Sequence, residues 1–183
     1  IRMKVLFLCE GLTLSHIVRP MLLIKNSKNI EACLASTHFP SFLKSELEPL
    51  RLHKLSDGIT AEYFNQSLYL GSAVFTEEIL EKYIEVDCKI IDEFKPDVVV
   101  SDFRVSASIS CKIKAVPLIT LGNIVWSPYA KQSMLSPENP ALRYFGVTLC
   151  NLAMRYMHPL FLNKSFGPMN RVRTKYGLNR FSN

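Results

Sequence analysis

Glycine is scarce where a phosphate group would need it. Of the seven glycines in 183 residues, Gly11 is the only one in the first apolar run and the loop after it, so neither G-x-G-x-x-G nor a phosphate-cradling loop is present. That speaks against a nucleotide site in this stretch. The five cysteines (Cys9, Cys33, Cys88, Cys111, Cys150) show no C-x-x-C or other metal-ligand spacing, and most fall inside apolar segments. They read as buried free thiols, with no metal site. No run approaches about 18 uncharged apolar residues, and no charged-then-apolar leader opens the sequence, which predicts a cytoplasmic protein. Acidic residues are missing from positions 139–183, where seven Lys and Arg stand alone, whereas positions 1–138 carry 15 basic against 16 acidic groups. The whole net charge of +6 therefore sits in the tail. With the apolar helix predicted over Leu142 to Leu162, this segment suits a solvated face, a neighbouring domain, or weak contact with an anionic membrane. No nucleic-acid-binding module accompanies the charge, so nucleic acid is not an expected partner.

What is present alternates. Lys4 to Leu8 reads as a strand, and a helix follows from about Ile17 to Lys25, with Pro20 tolerated in its first turn. Ile30 to Ala35 is a second strand, Ser41 begins a short helix with Glu46 and Glu48, and Leu52 to Leu55 is a third strand before the turn Ser56-Asp57-Gly58. Phe75 to Phe94 carries Ile79, Leu80, Tyr83, Ile84, Ile90 and Ile91 at helical spacing behind an acidic first turn. Asp97 to Val100 is apolar without alternation, as a buried parallel strand requires, and Val105 to Lys114 and Pro117 to Leu121 add a helix and a strand. Such βα alternation predicts an α/β fold, a Rossmann-like parallel sheet with helices on both faces, and 48% hydrophobic residues suffice for one domain over 1–183.

Strand carboxyl ends form the ligand crevice of such a sheet. His16 arrives just after the first strand, where an imidazole can accept a proton near neutral pH. Asp102 follows the fourth strand on the same rim, where its carboxylate could fix the tautomer of His16. The plainer readings are a loop or capping histidine and a helix N-cap for Asp102. His38, on the rim after the second strand, and His53, in the third strand, have no partners at ligand spacing, and His158 precedes Pro159 at a predicted helix end. Trp126 to Tyr129 offers aromatic faces for an acceptor pocket or, equally, a lid over the core.

Three stretches carry a family resemblance. The run around His16, PDVVVSDFRVSASIS (96–110) and NIVWSPYA (123–130) resemble the amino-terminal half of family 1 glycosyltransferases of two-domain GT-B architecture. A bacterial branch reads roughly E-x-x-T-L-x-H-V-x-R-P in its first loop, matched by Glu10, Thr13, Leu14, His16, Val18 in a shifted place, Arg19 and Pro20. FTEEILEKYIEVD and MNRVRTKYGL extend the likeness over nearly the whole chain. Proline falls four residues after His16, whereas the commoner superfamily pattern places it three after.

The resemblance implies the acceptor-binding half of an inverting transferase that moves sugar from a nucleotide-diphosphate sugar to an acceptor hydroxyl. No cofactor or metal is implied. His16 and Asp102 would be the catalytic pair, and Thr13, Ser15, His38, Asn123, Trp126 and Tyr129 would meet a small-molecule acceptor. The partner domain would be a carboxyl-terminal donor half, whose glycine-rich motif the chain lacks. A non-catalytic small-molecule or partner-binding module of the same fold is the alternative.

Overall fold

The computed structural model describes residues 2–56, 58–123, 135–136, 138 and 140–181, with the backbone alone over 157–165. Five parallel strands form one sheet in the order β3-β2-β1-β4-β5. They are β1 (Met3–Cys9), β2 (Ile30–Ser36), β3 (Arg51–Lys54), β4 (Val98–Asp102) and β5 (Leu118–Leu121). Between them run α1 (Ser15–Asn26), a 3-10 turn (Ser41–Leu43) with α2 (Lys44–Leu47), α3 (Ala61–Tyr69), α4 (Glu77–Phe94) and α5 (Ala107–Ile113), and α6 (Pro140–Lys175) follows β5. The α/β class and the parallel sheet are as the sequence predicts.

Strand periodicity sorts the core onto two faces. Along β1, Leu6 and Leu8 pack with Ile90, Ile91, Phe94, Val99 and Cys111, while Val5, Phe7 and Cys9 pack with Ile17, Met21, Leu34 and Leu47. Helices α4 and α5 therefore cover one face, and α1 and α2 the other. Cys9, Cys33 and Cys111 are buried members of these layers, and all five cysteines are free thiols. Burial pushes the Cys111 thiol up to about 12, which leaves it un-ionised and unreactive.

One helix begins earlier than the sequence predicts. Hydrogen bonds from the N–H groups of His16, Ile17 and Val18 to Thr13 and Leu14 start α1 at Ser15, so Pro20 falls in the second turn rather than the first. Having no N–H, Pro20 cannot bond the His16 carbonyl, yet its buried ring packs on the covered side of the helix.

Two compact units are distinguishable, one of residues 1–58 and 81–122 and one of residues 59–80 and 123–183. The first holds the sheet. In the second, α3 is a helix the sequence pattern did not single out. Thr60 caps it by accepting from the Tyr63 N–H at 3.1 Å, and left-handed Gly71 (φ 61°) ends it. Helix α6 contains the predicted Leu142 to Leu162 but runs longer, with a non-helical residue at Gly146 (φ 73°, ψ 165°). It closes at Gly177 (φ 71°), where the Leu178 N–H reaches the Arg173 carbonyl at 2.9 Å. Beyond it, the Arg173 guanidinium donates to the Asn179 carbonyl at 2.7 Å and lies 4.0 Å from the Phe181 ring centre. Among the described residues no helix is long and apolar enough to cross a membrane.

The loops after β1 and β2 meet at Gly11, whose N–H donates to Thr37 Oγ1 at 3.1 Å. A Cβ there would stand 2.7 Å from the His38 nitrogen and 2.8 Å from Thr37 Oγ1, whereas one on Gly122 would meet nothing within 4 Å among the described residues. Gly11→Ala should thus destabilise the protein by about 1–3 kcal/mol, the usual cost of overpacking, and Gly122→Ala should leave it nearly unchanged. Chemical denaturation of the two variants checks the contrast.

Candidate functional site

The carboxyl ends of β1 and β4 are joined main chain to main chain. Cys9 bridges Phe103, and the Glu10 N–H donates to the Asp102 carbonyl at 3.1 Å. Phe103 sits in the left-handed region (φ 58°), and its ring stacks on His16 with centroids 4.9 Å apart and planes 11° from parallel. The ring of His16, half-buried at the start of α1, directs Nδ1 at the Glu10 carbonyl 3.1 Å away. A carbonyl can only accept, so Nδ1 carries the proton and Nε2 the lone pair. Burial lowers the imidazole pKa, Asp102 raises it, Arg19 lowers it and the Glu10 bond raises it, and burial prevails. The ring is a neutral base at neutral pH.

Asp102 does not make the hydrogen bond expected of it. Its carboxylate, with 1% of the side chain exposed, takes both oxygens to Arg19, at 2.9 Å from Nε and 2.7 Å from Nη2. Arg19 follows His16 by one helical turn on α1, and its forked donors match a carboxylate better than one imidazole N–H does. Asp102 therefore reaches His16 as a nearby charge, and the group that fixes the tautomer is the Glu10 main chain.

Glu10 itself rests on a buried ionic cluster that sequence reasoning did not find. Its carboxylate accepts from Arg104 Nη1 at 3.1 Å and from the Thr37 hydroxyl at 3.2 Å, with a further bond from Tyr83. Thr37 Oγ1 in turn accepts from the Gly11 N–H at 3.1 Å. Arg104 also donates through Nε to Asp87 of α4 at 3.0 Å and lies 3.6 Å from the Tyr83 ring centre. Ser106 and Ser110 complete Asp87, at 2.6 Å and 3.3 Å. Glu10, Asp87 and Arg104 are fully buried. A visible signal did exist, since one arginine within an apolar, serine-rich stretch demands a buried partner.

The other expected site residues are placed as follows. Thr13 and Ser15 are exposed beside His16 and share a hydrogen bond of 2.8 Å. His38 is exposed in the loop after β2, next to Gly11, with its carbonyl accepting from Ser36 Oγ at 3.1 Å. Asn123 is exposed two residues after β5. Trp126 and Tyr129 lie outside the described residues. Among the described residues no three His, Cys, Asp or Glu are grouped so as to hold a metal ion.

No protein-family model matches the chain. Over 181 residues, 97% of the chain, it is 35% identical to the PGL/p-HBAD biosynthesis rhamnosyltransferase of Mycobacterium bovis. Over the same length it is 34% identical to a PGL/p-HBAD biosynthesis glycosyltransferase of Mycobacterium tuberculosis and to an M. bovis protein described as an inactive PGL/p-HBAD biosynthesis glycosyltransferase. Its relatives are thus glycosyltransferases. The chain spans 39% to 48% of their length. Among solved structures, the glycosyltransferase SnogD from Streptomyces nogalater matches with a TM-score of 0.49 at 16% identity, covering 88% of this chain and 40% of that one. The Streptomyces glycosyltransferase SsfS6 matches all of this chain and 48% of that one, with a TM-score of 0.44 and 11% identity.

Burial raises the carboxyl groups of Glu10 and Asp87, against the lowering effect of Arg104 and their hydrogen bonds. The Arg104 charge is opposed by burial, but Asp87 and Glu10 together hold its pKa above the ordinary value. A carboxyl raised in the folded state contributes stability below its unfolded pKa, and that contribution is lost as pH rises through the folded value. Asp87→Asn should accordingly flatten the fall in stability that sets in as pH rises above the ordinary carboxylate range. Arg104→Ala, which strands two buried acids, should cost about 3–5 kcal/mol. Denaturation curves at several pH values read both effects.

Proposed function

We propose that the chain is the acceptor-binding half of an inverting glycosyltransferase, with His16 as general base. The observation that carries this reading is the neutral imidazole at the strand rim, its proton held on Nδ1 by Glu10 and its Nε2 lone pair available. An acceptor hydroxyl placed against Nε2 gives up its proton as its oxygen attacks the anomeric carbon of a nucleotide-diphosphate sugar. The bond from that carbon to the diphosphate breaks, and the electron pair leaves with the phosphate. The imidazolium formed is favoured by the nearby Asp102 charge. Thr13, Ser15 and His38, with Asn123, Trp126 and Tyr129, would meet the acceptor, while a carboxyl-terminal domain would bind the donor. Cytoplasmic placement and weak contact with anionic membrane through the basic 139–183 segment belong to the same proposal.

The relative described as inactive favours a second reading. It is 34% identical over the same 181 residues, and the second reading is that this chain, too, is without turnover and serves as a small-molecule or partner-binding module of the same fold.

In the complete enzyme, His16→Ala should lower kcat about 10²- to 10⁴-fold, the usual contribution of positioned proton transfer, with donor KM little changed. Asp102→Asn, which keeps the imidazole, should lose less. Because burial lowers the His16 pKa, the rate should stay flat through neutrality and fall only below the ordinary histidine range, where Nε2 becomes protonated. Steady-state rates across pH check these outcomes: wild-type turnover in His16→Ala would remove His16 as the base, whereas no turnover in the unmutated complete protein would leave the binding-module reading.

A separate expectation concerns the donor. Residues 1–183 alone should bind uridine and thymidine diphosphate sugars poorly, since no glycine-rich loop here lets backbone N–H groups converge on phosphate. Calorimetry reads it, and tight donor binding by this chain would refute the division into acceptor and donor halves.

A further inference from the structure

We infer that Glu10 and Arg104 are positioning residues for His16, Arg104 clamping the Glu10 side chain so that the Glu10 carbonyl fixes the Nδ1–H tautomer of the imidazole. The role of that imidazole as a base rests on the function proposed above; the positioning itself rests on the geometry. Every hydrogen-bonding part of Glu10 has a partner. Its N–H is held by the Asp102 carbonyl at 3.1 Å, its carboxylate by Arg104 at 3.1 Å and Thr37 at 3.2 Å, and its carbonyl receives His16 Nδ1 at 3.1 Å. The carbonyl belongs to the Glu10–Gly11 peptide group, whose Gly11 N–H donates to Thr37 Oγ1 at 3.1 Å, so that group is held on both sides and cannot rotate to withdraw the carbonyl.

The clamp reaches well beyond the loop. Arg104 is itself fixed by Asp87 at 3.0 Å and by the face of Tyr83 at 3.6 Å, both on α4. Stacking on Phe103 restrains the plane of the imidazole, but a flip of about 180° about the Cβ–Cγ bond returns the ring to the same plane with Nδ1 and Cδ2 exchanged. The carbonyl removes that freedom. Since Arg19 occupies both oxygens of Asp102, the carboxylate that would ordinarily orient such a ring is already engaged.

The test reads the tautomer directly. In residues 1–183 with nitrogen-15 histidine, long-range proton–nitrogen correlations should show His16 protonated at Nδ1 and bare at Nε2. Arg104→Met should move His16 toward the Nε2–H form, while His38, His53 and His158 keep their signals and so report an intact fold. A His16 that keeps Nδ1–H in a folded Arg104→Met would overturn the proposal. Should that variant lose its fold, Thr37→Val takes its place, since it removes both a donor to the Glu10 carboxylate and the acceptor of the Gly11 N–H without stranding a buried charge. A partial shift of the His16 signals is then expected, and an unchanged tautomer would be equally fatal.

In the complete enzyme Thr37→Val should lower kcat about tenfold or more with donor KM unchanged, as misplacement of a reacting group by a fraction of an ångström does. A shifted tautomer with unaltered turnover would keep the positioning and remove His16 from the chemistry, which separates the two claims.

Discussion

The rim of the sheet depends on one buried guanidinium. Arg104 lies in the short connection between β4 and α5 and is wholly out of water, where a lone charge would cost several kcal/mol. Its partners come from different parts of the chain, Asp87 from α4 and Glu10 from the loop after β1, and Thr37 after β2 joins through Glu10. In a parallel sheet all three strand ends emerge on one side, so a single arginine can fasten them together. Apolar side chains of the same volume would fill the space, but they would not set the direction of the Glu10 peptide group.

Two carboxyl groups facing one guanidinium are electrically unbalanced. Burial raises both acids, and the imbalance is eased by hydroxyl donors: Ser106 and Ser110 on Asp87, Thr37 and Tyr83 on Glu10. This explains why α5 opens with serines rather than a fully apolar face, since its first turns must satisfy Asp87 as well as cover the sheet. Such a network is demanding. When every member is bonded it selects one arrangement, and when one is lost the rest are left buried without partners.

The sheet was legible in the sequence because its signals are local. Apolar runs at Val5 to Leu8 and Val98 to Val100, and the helical stripe from Ile79 to Ile91, each state their period within a few residues. Helix α3 was missed because Ala61 to Tyr69 is mixed in polarity and only Ser67 in it is buried. The early start of α1 was hidden by Pro20, whose usual place in a first turn suggested a later boundary. At the site, the rim positions of His16 and Asp102 were legible and their pairing was not. Which donor wins a carboxylate is decided by side chains meeting across 83 residues of sequence, and Arg19 reaches Asp102 with two bonds where His16 could offer one. The Glu10 carbonyl is a main-chain acceptor, which leaves no mark in residue type.

The Arg19–Asp102 pair also explains why the imidazole is neutral. A carboxylate bonded directly to a histidine favours the imidazolium and raises its pKa. Here the guanidinium accompanies the carboxylate, and their opposite influences on His16 partly cancel. Burial is then the largest remaining influence, and it favours the uncharged ring. A base that must accept a proton from a hydroxyl at neutral pH needs to begin unprotonated, and engaging Asp102 elsewhere achieves this without removing its charge from the neighbourhood. On the function proposed above, the Asp102 carboxylate is near enough to favour the proton that His16 would accept, while the Glu10 carbonyl would keep the receiving nitrogen in place.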